Sequence, residues 1–221
     1  AVRIGPTVVH HRWLAPTVKA AIADPGITAL SQATPDETTL TGTRVLRTLD
    51  HLGWQPQAEG HGFAAGQPKF NYQLRLTDAE GTHLTDEQLL KGMNQLWRRN
   101  IKKADKLGVT VTRGERADLA RFHRIYLETA ERDHFTGRGL PYFETMWDAL
   151  NTEEPDRMRV YLAEHDGDLV AATTFIRVGT HAWYSYGAST TAKREVRGSN
   201  AIQWRMMRDA RDAGADIYDL R

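Results

Sequence analysis

A loop bounded by glycines is the first candidate for chemistry. In Thr136-Gly137-Arg138-Gly139, one guanidinium stands between two glycines. Backbone amides and an arginine can converge on an anion in such a loop, and arginine suits two-point contact with a phosphate or carboxylate. Pro141 stands where the first residue of a helix belongs, so we expect a positive helix end nearby. An ordinary turn with a surface arginine is the competing interpretation.

Two tyrosines form the second candidate. Tyr184 and Tyr186 lie two residues apart in a segment of strand-like composition, so we expect both rings on one face of a sheet. Tyrosines that face a cleft can bind a sugar, a base or a peptide through ring and hydroxyl. The alternative is a half-buried sheet face that binds nothing.

The third candidate is a run of positive charge in which five lysines and arginines stand against Asp105. The sequence predicts one helix from a Thr85 cap, with Gln88 completing a capping box, to Gly108. The cations share one sector of this helix, which would attract nucleic-acid phosphates, and a solvated face is the alternative. The cations are Arg98, Arg99, Lys102, Lys103 and Lys106, and the opposite, apolar sector holds Leu89, Leu90, Met93, Leu96, Trp97, Ile101, Ala104 and Leu107.

The composition excludes several classes of site. The 221 residues include no cysteine, which excludes disulfide scaffolds, thiolate zinc sites and cysteine nucleophiles. No histidine pair has ligand spacing with a carboxylate and no Gly-x-Ser-x-Gly occurs, so we predict neither a metal nor a serine triad. With 29 basic and 28 acidic side chains, the net charge of +1 indicates no partner by itself. No apolar run approaches the roughly 18–20 residues that span a bilayer.

The elements that must position these residues change character along the chain. Before residue 150 the apolar residues recur with the spacing of a helix, and after it they alternate with a period of two, as in strands. Asp166-Gly167-Asp168 is typical of a hairpin turn. Helices followed by an antiparallel meander, a helix and a strand predict an α+β (mixed α/β) fold rather than a doubly wound parallel sheet. Predicted helices cover 13–23, 44–52, 118–132, 141–150 and, after a Ser199 cap, 199–213; predicted strands cover 69–76, 109–112, 159–164, 169–178, 182–187 and 217–220.

This order of elements is similar to that of GNAT-type acyltransferases. Their acetyl-CoA-binding members carry a Gln/Arg-x-x-Gly-x-Gly/Ala loop before the helix. The corresponding segment here has Asn200 at the second small position and an acid, Glu195, where phosphate would lie. We therefore expect a relative that does not use coenzyme A. No other cofactor is predicted.

Four blocks of the sequence resemble the Fem aminoacyltransferases (FemA, FemB and FemX), which build peptidoglycan interpeptide bridges. They are Leu96 to Val109, Thr129 to Phe143, Tyr184 to Ser189, and Trp204 to the closing Tyr218-Asp219-Leu220-Arg221. The resemblance covers residues 69–221 and is closest to the compact FemX type. It implies tandem GNAT-like domains, with a partial first domain over residues 1–84 and a second over 85–221 that is truncated at its C-terminus.

The resemblance also implies an activity. The enzyme would move an amino acid from an aminoacyl-tRNA to the amino group of a muramyl-peptide cell-wall precursor, either lipid II or UDP-muramyl pentapeptide. It would work in the cytoplasm, with peripheral contact to the inner face of the membrane. The same chemistry on a secondary-metabolite peptide, a CoA-dependent GNAT N-acyltransferase and a non-catalytic nucleic-acid-binding module are the alternatives.

The family's motifs imply the site residues. An acceptor-binding Thr-x-Arg-x-x-x-Tyr pattern corresponds to Thr136, Arg138 and Tyr142. Tyr186 would also touch the acceptor, and Tyr184 would lie beside the aminoacyl ester as the catalytic residue. Contact of the basic helix with tRNA is our own hypothesis. The family's Phe-Lys motif, whose lysine stabilises the tetrahedral intermediate, and a further acceptor-binding lysine are expected outside this chain.

Overall fold

The computed structural model describes residues 47–53 and 72–220 of the chain. Residues 47–51 are helical, in agreement with part of the helix predicted over 44–52. The helix predicted near 13–23 and the other N-terminal predictions lie outside the described residues. The chain divides into two compact units, residues 74–218 and residues 1–73 with 219–221, and all the predicted site residues belong to residues 74–218. The domain boundary after residue 84 stays a prediction.

Strands and helices over residues 72–220 largely follow the predicted order. The strands are β1 Tyr72–Arg75, β2 Thr110–Gly114, β3 Met158–His165, β4 Asp168–Val178, β5 His181–Ser189 and β6 Ile217–Leu220. The helices are α1 Asp86–Gly92, α2 Gln95–Lys106, α3 Leu119–Arg132, α4 Leu140–Glu153 and α5 Gly198–Asp212, with short 3-10 turns at Arg116–Asp118 and Arg194–Val196. α4 begins one residue before the predicted start at Pro141, which is the second residue of the helix.

The single helix predicted from Thr85 to Gly108 is wrong, because two helices occupy that range. The predicted capping box is present: the Gln88 amide donates to Thr85 Oγ1 at 3.3 Å, and Gln88 Oε1 accepts from the Thr85 amide at 2.8 Å. Met93 and Asn94 are extended, which ends α1. The Asn94 side chain then accepts from the amide of Trp97 at 2.9 Å and starts α2. The apolar pattern continues through Asn94, but the asparagine caps a new helix there and so separates α2 from α1.

The strands form one sheet in the order β1-β6-β5-β4-β3-β2. β2, β3, β4 and β5 pair antiparallel, each with the next, as the predicted meander requires. Two register shifts interrupt the pairing, one at Ala163/Glu164 between β3 and β4 and one at Thr174/Phe175 between β4 and β5. The second shift decides where the two tyrosines of β5 point.

The two faces of the sheet are covered by different helices. On one face, Phe122 and Ile125 of α3 and Phe143 of α4 join Val160 and Ile176 of the sheet in an apolar core. On the other face, α5 packs on β3 and β4, where the Tyr161 hydroxyl donates to Asp209 at 2.8 Å. Burial of apolar side chains against both faces is the main stabilising term of such a layered fold.

The predicted Ser199 cap is wrong, because the residue at the cap position of α5 is Arg197, two residues earlier. Arg197 precedes the helix in a left-handed conformation with φ 64°, and no side chain caps the helix. A Cβ at Gly198 would lie 2.7 Å from Val170 Cγ2, so only glycine lets this end of α5 approach β4 so closely. The helix ends before Gly214, whose φ of +83° suits a glycine stop as predicted.

Residues 47–53 and 72–220 contain neither a candidate membrane span nor a candidate metal cluster. None of the helices there has the length and apolar character needed to cross a membrane. That part of the chain also holds no group of three or more His, Asp or Glu side chains arranged to hold a metal ion.

Candidate functional site

Helix α3 holds the backbone of Arg138 from two sides. The His123 ring donates from Nε2 to the Arg138 carbonyl at 3.0 Å, and the Arg138 amide donates to the Tyr126 hydroxyl at 3.5 Å. His123 and Tyr126 are three residues apart, so they project from the same side of α3. The loop lies close to the helix, since a Cβ at Gly137 would be 3.1 Å from Leu127 Cδ2. Sequence reasoning missed His123, which carries no recognisable spacing signal.

The Arg138 side chain lies over the ring of Tyr142, at the start of α4, and Tyr142 in turn contacts Tyr186 of β5. Its guanidinium carbon lies 4.5 Å from the centre of the Tyr142 ring, within the range of a cation–π contact. The Tyr142 and Tyr186 hydroxyls are 3.0 Å apart and share a hydrogen bond. Arg138 and Tyr142 are exposed, whereas Tyr186 is half-buried. A cation and two hydroxyls thus present a small polar surface to solvent.

Phe143 supports this surface from below. It is fully buried, and its ring makes edge contacts with Tyr186 at 5.1 Å and with Tyr142 at 5.4 Å between centroids. The Tyr126 ring packs against Phe143 at 5.2 Å and against Tyr186 at 6.2 Å. Such edge-to-face contacts fix ring orientation as well as burying area. The two hydroxyls are therefore held in place before any ligand binds.

The Tyr186 hydroxyl is a hydrogen-bonding group rather than a base. Burial raises its pKa to about 12, and the hydrogen bond with Tyr142 acts in the same direction, while the charge of Arg138 opposes both. A phenol with this pKa stays protonated at neutral pH. Tyr186 can therefore donate to or accept from a ligand, but it does not remove a proton from one.

The expectation that Tyr184 and Tyr186 lie on one face is wrong. Thr174 of β4 is opposite Tyr186, but Phe175 is opposite Tyr184, so Ser185 is an extra residue in β5. Directly opposite residues share a face, and an extra residue reverses the alternation. Tyr186 therefore lies on the face covered by α3 and α4, and Tyr184 lies on the face covered by α5.

Tyr184 leans along the strand towards Gly187. A Cβ at Gly187 would lie 1.6 Å from the Tyr184 hydroxyl oxygen and 2.5 Å from the ring carbon that bears it. Its neighbour on that face is Phe175, which packs against Tyr161 at 6.0 Å. The predicted catalytic tyrosine is thus separated by the sheet from Arg138, Tyr142 and Tyr186, which the structure does bring together.

Thr136 lies in the same loop as Arg138 and is exposed. The residues before this loop, at the end of α3, make structural hydrogen bonds to β5. Thr129 Oγ1 accepts from the Ser189 amide at 3.0 Å, and Arg132 donates to the Ser189 carbonyl at 2.8 Å. These bonds tie the end of α3 to the end of β5. They hold α3, with its contacts to Arg138, beside the strand that carries Tyr186.

Arg98 differs from the other predicted tRNA-binding cations because it also supports the corner between α1 and α2. Its Nη1 donates to the carbonyls of Met93, Leu90 and Lys91 at the end of α1. These bonds occupy Nη1 and leave only Nε and Nη2 of Arg98 for a phosphate. The remaining cations are exposed, and no carboxylate of the described residues pairs with them: Arg99, Lys102, Lys103 and Lys106.

A cavity of about 400 Å³ lies on another side of α3. Its charged lining includes Arg124 and Glu128 of α3, together with Asp168 and Lys193, which form an ion pair at 2.7 Å. None of the predicted site residues lines it. The cavity therefore does not extend the Arg138 surface.

Comparison with known proteins gives a family, relatives and a fold. The FemAB family model matches residues 22–168. Lipid II:glycine glycyltransferases of Staphylococcus epidermidis and Staphylococcus aureus are each 24% identical, over 84% of this chain and 58% of their own length. The chain thus spans less than two thirds of these relatives.

The fold comparison agrees with the sequence prediction. The crystal structure of FemX matches with a TM-score of 0.68 and 21% identity, over 93% of this chain and 67% of that one. This likeness concerns the fold alone. Together with the six-stranded sheet, it confirms the predicted mixed α/β class.

Proposed function

The chain belongs to the FemAB family, and we propose that it transfers an amino acid from an aminoacyl-tRNA to the amino group of a muramyl-peptide cell-wall precursor. The relatives named lipid II:glycine glycyltransferase support glycine as the amino acid and lipid II as the acceptor. UDP-muramyl pentapeptide is the soluble acceptor of the same chemistry. The reaction would form peptidoglycan bridges.

The observation that carries the proposal is the group formed by Arg138, Tyr142 and Tyr186. An exposed guanidinium 4.5 Å from one ring and two hydroxyls 3.0 Å apart offer one charged and two neutral hydrogen-bonding groups. A muramyl-peptide precursor carries carboxylates and a pyrophosphate beside amide groups. In this proposal Arg138 binds the anion and the hydroxyls orient the peptide, with Thr136 at the edge of the same loop.

The chemical step asks little of the protein. The neutral acceptor amine attacks the ester carbonyl that joins the amino acid to the ribose of tRNA. An amide bond forms, the ester bond breaks, and the ribose hydroxyl leaves with the proton that the amine loses. Because an ester is already activated, positioning and stabilisation of the oxyanion suffice without a covalent enzyme intermediate. A general base is optional when the amine arrives neutral.

In this proposal Tyr184 lies beside the aminoacyl ester of the tRNA, which must then approach the sheet on the face opposite to the acceptor. Tyr184 lies on the α5 face of β5, whereas Tyr186 lies on the α3 and α4 face. The aminoacyl ester would therefore approach Tyr184 from the α5 face while the acceptor binds at Arg138. Because β5 lies between β6 and β4 in the sheet, the acceptor amine would reach the ester at an end of β5.

Label transfer by the full-length protein tests the proposal. Glycyl-tRNA carrying radiolabelled glycine is offered with lipid II and, separately, with UDP-muramyl pentapeptide, and labelled product is followed. We expect label in at least one acceptor and a loss of about tenfold to a hundredfold in kcat/KM for Arg138→Ala, which removes a charge-assisted contact. Arg124→Ala, on the same helix as His123 but away from Arg138, is the matched control. Absence of transfer from any charged tRNA to either acceptor would overturn the proposal.

A further inference from the structure

The solvent face of α2 carries leucines as well as cations. Leu96 is 63% exposed and Leu107 is 41% exposed, although the sequence pattern assigns both to the apolar sector. The residues of α2 that are buried are Ile101 and Ala104. The buried stripe of α2 is therefore narrower than the apolar sector that the sequence predicts.

The two leucines and the cations form one continuous face. At about 100° per residue, Leu96, Lys103 and Leu107 fall within about 40° of one another. Arg99, Lys106 and Lys102 follow on one side of that stripe, and all are exposed. With a rise of about 1.5 Å per residue, the leucines lie about 16 Å apart along the helix. Asp105 projects from the opposite side of the wheel.

We propose that this face of α2 docks on an anionic lipid surface. Lysine and arginine side chains meet anionic head groups, while leucines at both ends of the helix enter the boundary between head groups and acyl chains. An RNA would use the same cations but would leave both leucines without a partner, so the exposed leucines favour lipid over tRNA. The inference rests on the proposed function in one respect: an acceptor linked to a lipid lies at such a surface.

Vesicle binding by the full-length protein tests the surface without any substrate. Sedimentation is measured with vesicles of equal parts phosphatidylglycerol and phosphatidylcholine, and with vesicles of phosphatidylcholine alone. We expect binding to the anionic vesicles that weakens with salt. The double variant Lys102→Glu/Lys103→Glu should lower the partition coefficient at least about tenfold. Leu96→Ser/Leu107→Ser should lower it about tenfold as well, with the remaining binding more sensitive to salt.

A charge-matched control separates this surface from net charge. Arg75 and Arg124 are exposed and lie on β1 and α3, so Arg75→Glu/Arg124→Glu changes the charge by the same amount elsewhere. This control should keep the partition coefficient within about twofold, because head-group attraction falls off within a Debye length of about 8–10 Å. Equal losses of partition coefficient in the double lysine variant and the double arginine control would overturn the assignment. An unchanged partition coefficient in the double leucine variant would do so as well.

Two further measurements separate the alternatives. In a tRNA-binding assay, the double leucine variant should bind tRNA with unchanged affinity. If the double lysine variant loses affinity for tRNA but still binds anionic vesicles, the face belongs to tRNA and the proposal is overturned. In transfer assays, both pairs should lower transfer to lipid II in vesicles and spare transfer to soluble UDP-muramyl pentapeptide. If neither acceptor is used by the unaltered protein, the proposed function fails, and vesicle binding still decides the docking surface.

Discussion

The hydroxyls of Tyr142 and Tyr186 are 3.0 Å apart, although 44 residues and a change from helix to strand separate them in the chain. Their rings meet at 6.2 Å in an edge contact, above the buried ring of Phe143. One hydroxyl must donate to the other, which leaves one proton and the free lone pairs for a ligand. Arg138 adds its charge beside them, with its guanidinium carbon 4.5 Å from the centre of the Tyr142 ring. The pair is thus a preformed binding element.

The first prediction concerns this shared hydrogen bond. Tyr142→Phe and Tyr186→Phe should each raise the KM for the acceptor about threefold to tenfold, because each loses a hydrogen bond worth about 0.5–1.5 kcal/mol, with a smaller change in kcat. The double variant should lose less than the sum, since both changes break the same bond. Steady-state kinetics with a varied acceptor measures this. Strict additivity would show that the two hydroxyls bind independently.

The second prediction concerns His123, which positions Arg138 through its backbone. His123→Ala removes the donor to the Arg138 carbonyl at 3.0 Å and should raise the acceptor KM about threefold to tenfold. His123→Gln keeps a donor of similar reach and should recover most of that loss. Kinetics of both variants beside a thermal melt separates positioning from stability. Equal effects of alanine and glutamine would argue against the hydrogen bond.

The third prediction concerns Gly187 and Tyr184. Gly187→Ala would place a methyl group 1.6 Å from the present position of the Tyr184 hydroxyl, so the ring must move. We expect a loss of about 1–3 kcal/mol in the free energy of unfolding, as in other overpacked sites. In a Tyr184→Ala background the same change should cost little, and chemical denaturation of the four proteins gives the coupling. Additive losses would refute this contact.

Sequence patterns predicted helices and strands well where the apolar residues kept one spacing. They did less well where a single residue ended a helix or shifted a strand register. The meander from Met158 to Ser189 was predictable because its alternation and its hairpin turn agree. The break at Asn94 was not predictable, because an asparagine can lie within a continuous helix or cap a new one, and the spacing of the apolar residues is the same in both cases. The extra residue Ser185 has no sequence signature, yet it moves Tyr184 to the other face.

The site was predictable in its residues more than in its geometry. The spacing from Arg138 to Tyr142 spans a loop and the first turn of α4, which a local pattern can describe. The contacts of Arg138 with His123 and of Tyr142 with Tyr186 depend on how α3, α4 and β5 pack, which no local spacing encodes. Arg98 appeared equivalent to its basic neighbours until the corner between α1 and α2 gave it carbonyl partners.

The fourth prediction separates Arg98 from the cations of the docking face. Arg98→Ala removes the donors to the carbonyls at the end of α1 and should lower the free energy of unfolding by about 1–2 kcal/mol. Lys102→Ala, on an exposed position of the same helix, should change it by less than about 0.5 kcal/mol. Urea denaturation of both variants measures the difference. Similar stabilities would place Arg98 back among the surface cations.

The fifth prediction concerns alkaline pH. The pKa of Tyr186 is raised to about 12, from 10.0 for a free phenol, so the folded protein keeps a proton that the unfolded chain releases. Its contribution to stability is complete below about pH 10 and is lost as the pH rises towards about 12. Tyr186→Phe should therefore flatten the decline of stability over this interval, measured by urea denaturation at several pH values. Tyr184→Phe serves as the matched control on the same strand. An equal decline in the Tyr186→Phe variant and the unaltered protein would contradict a buried, protonated phenol at this position.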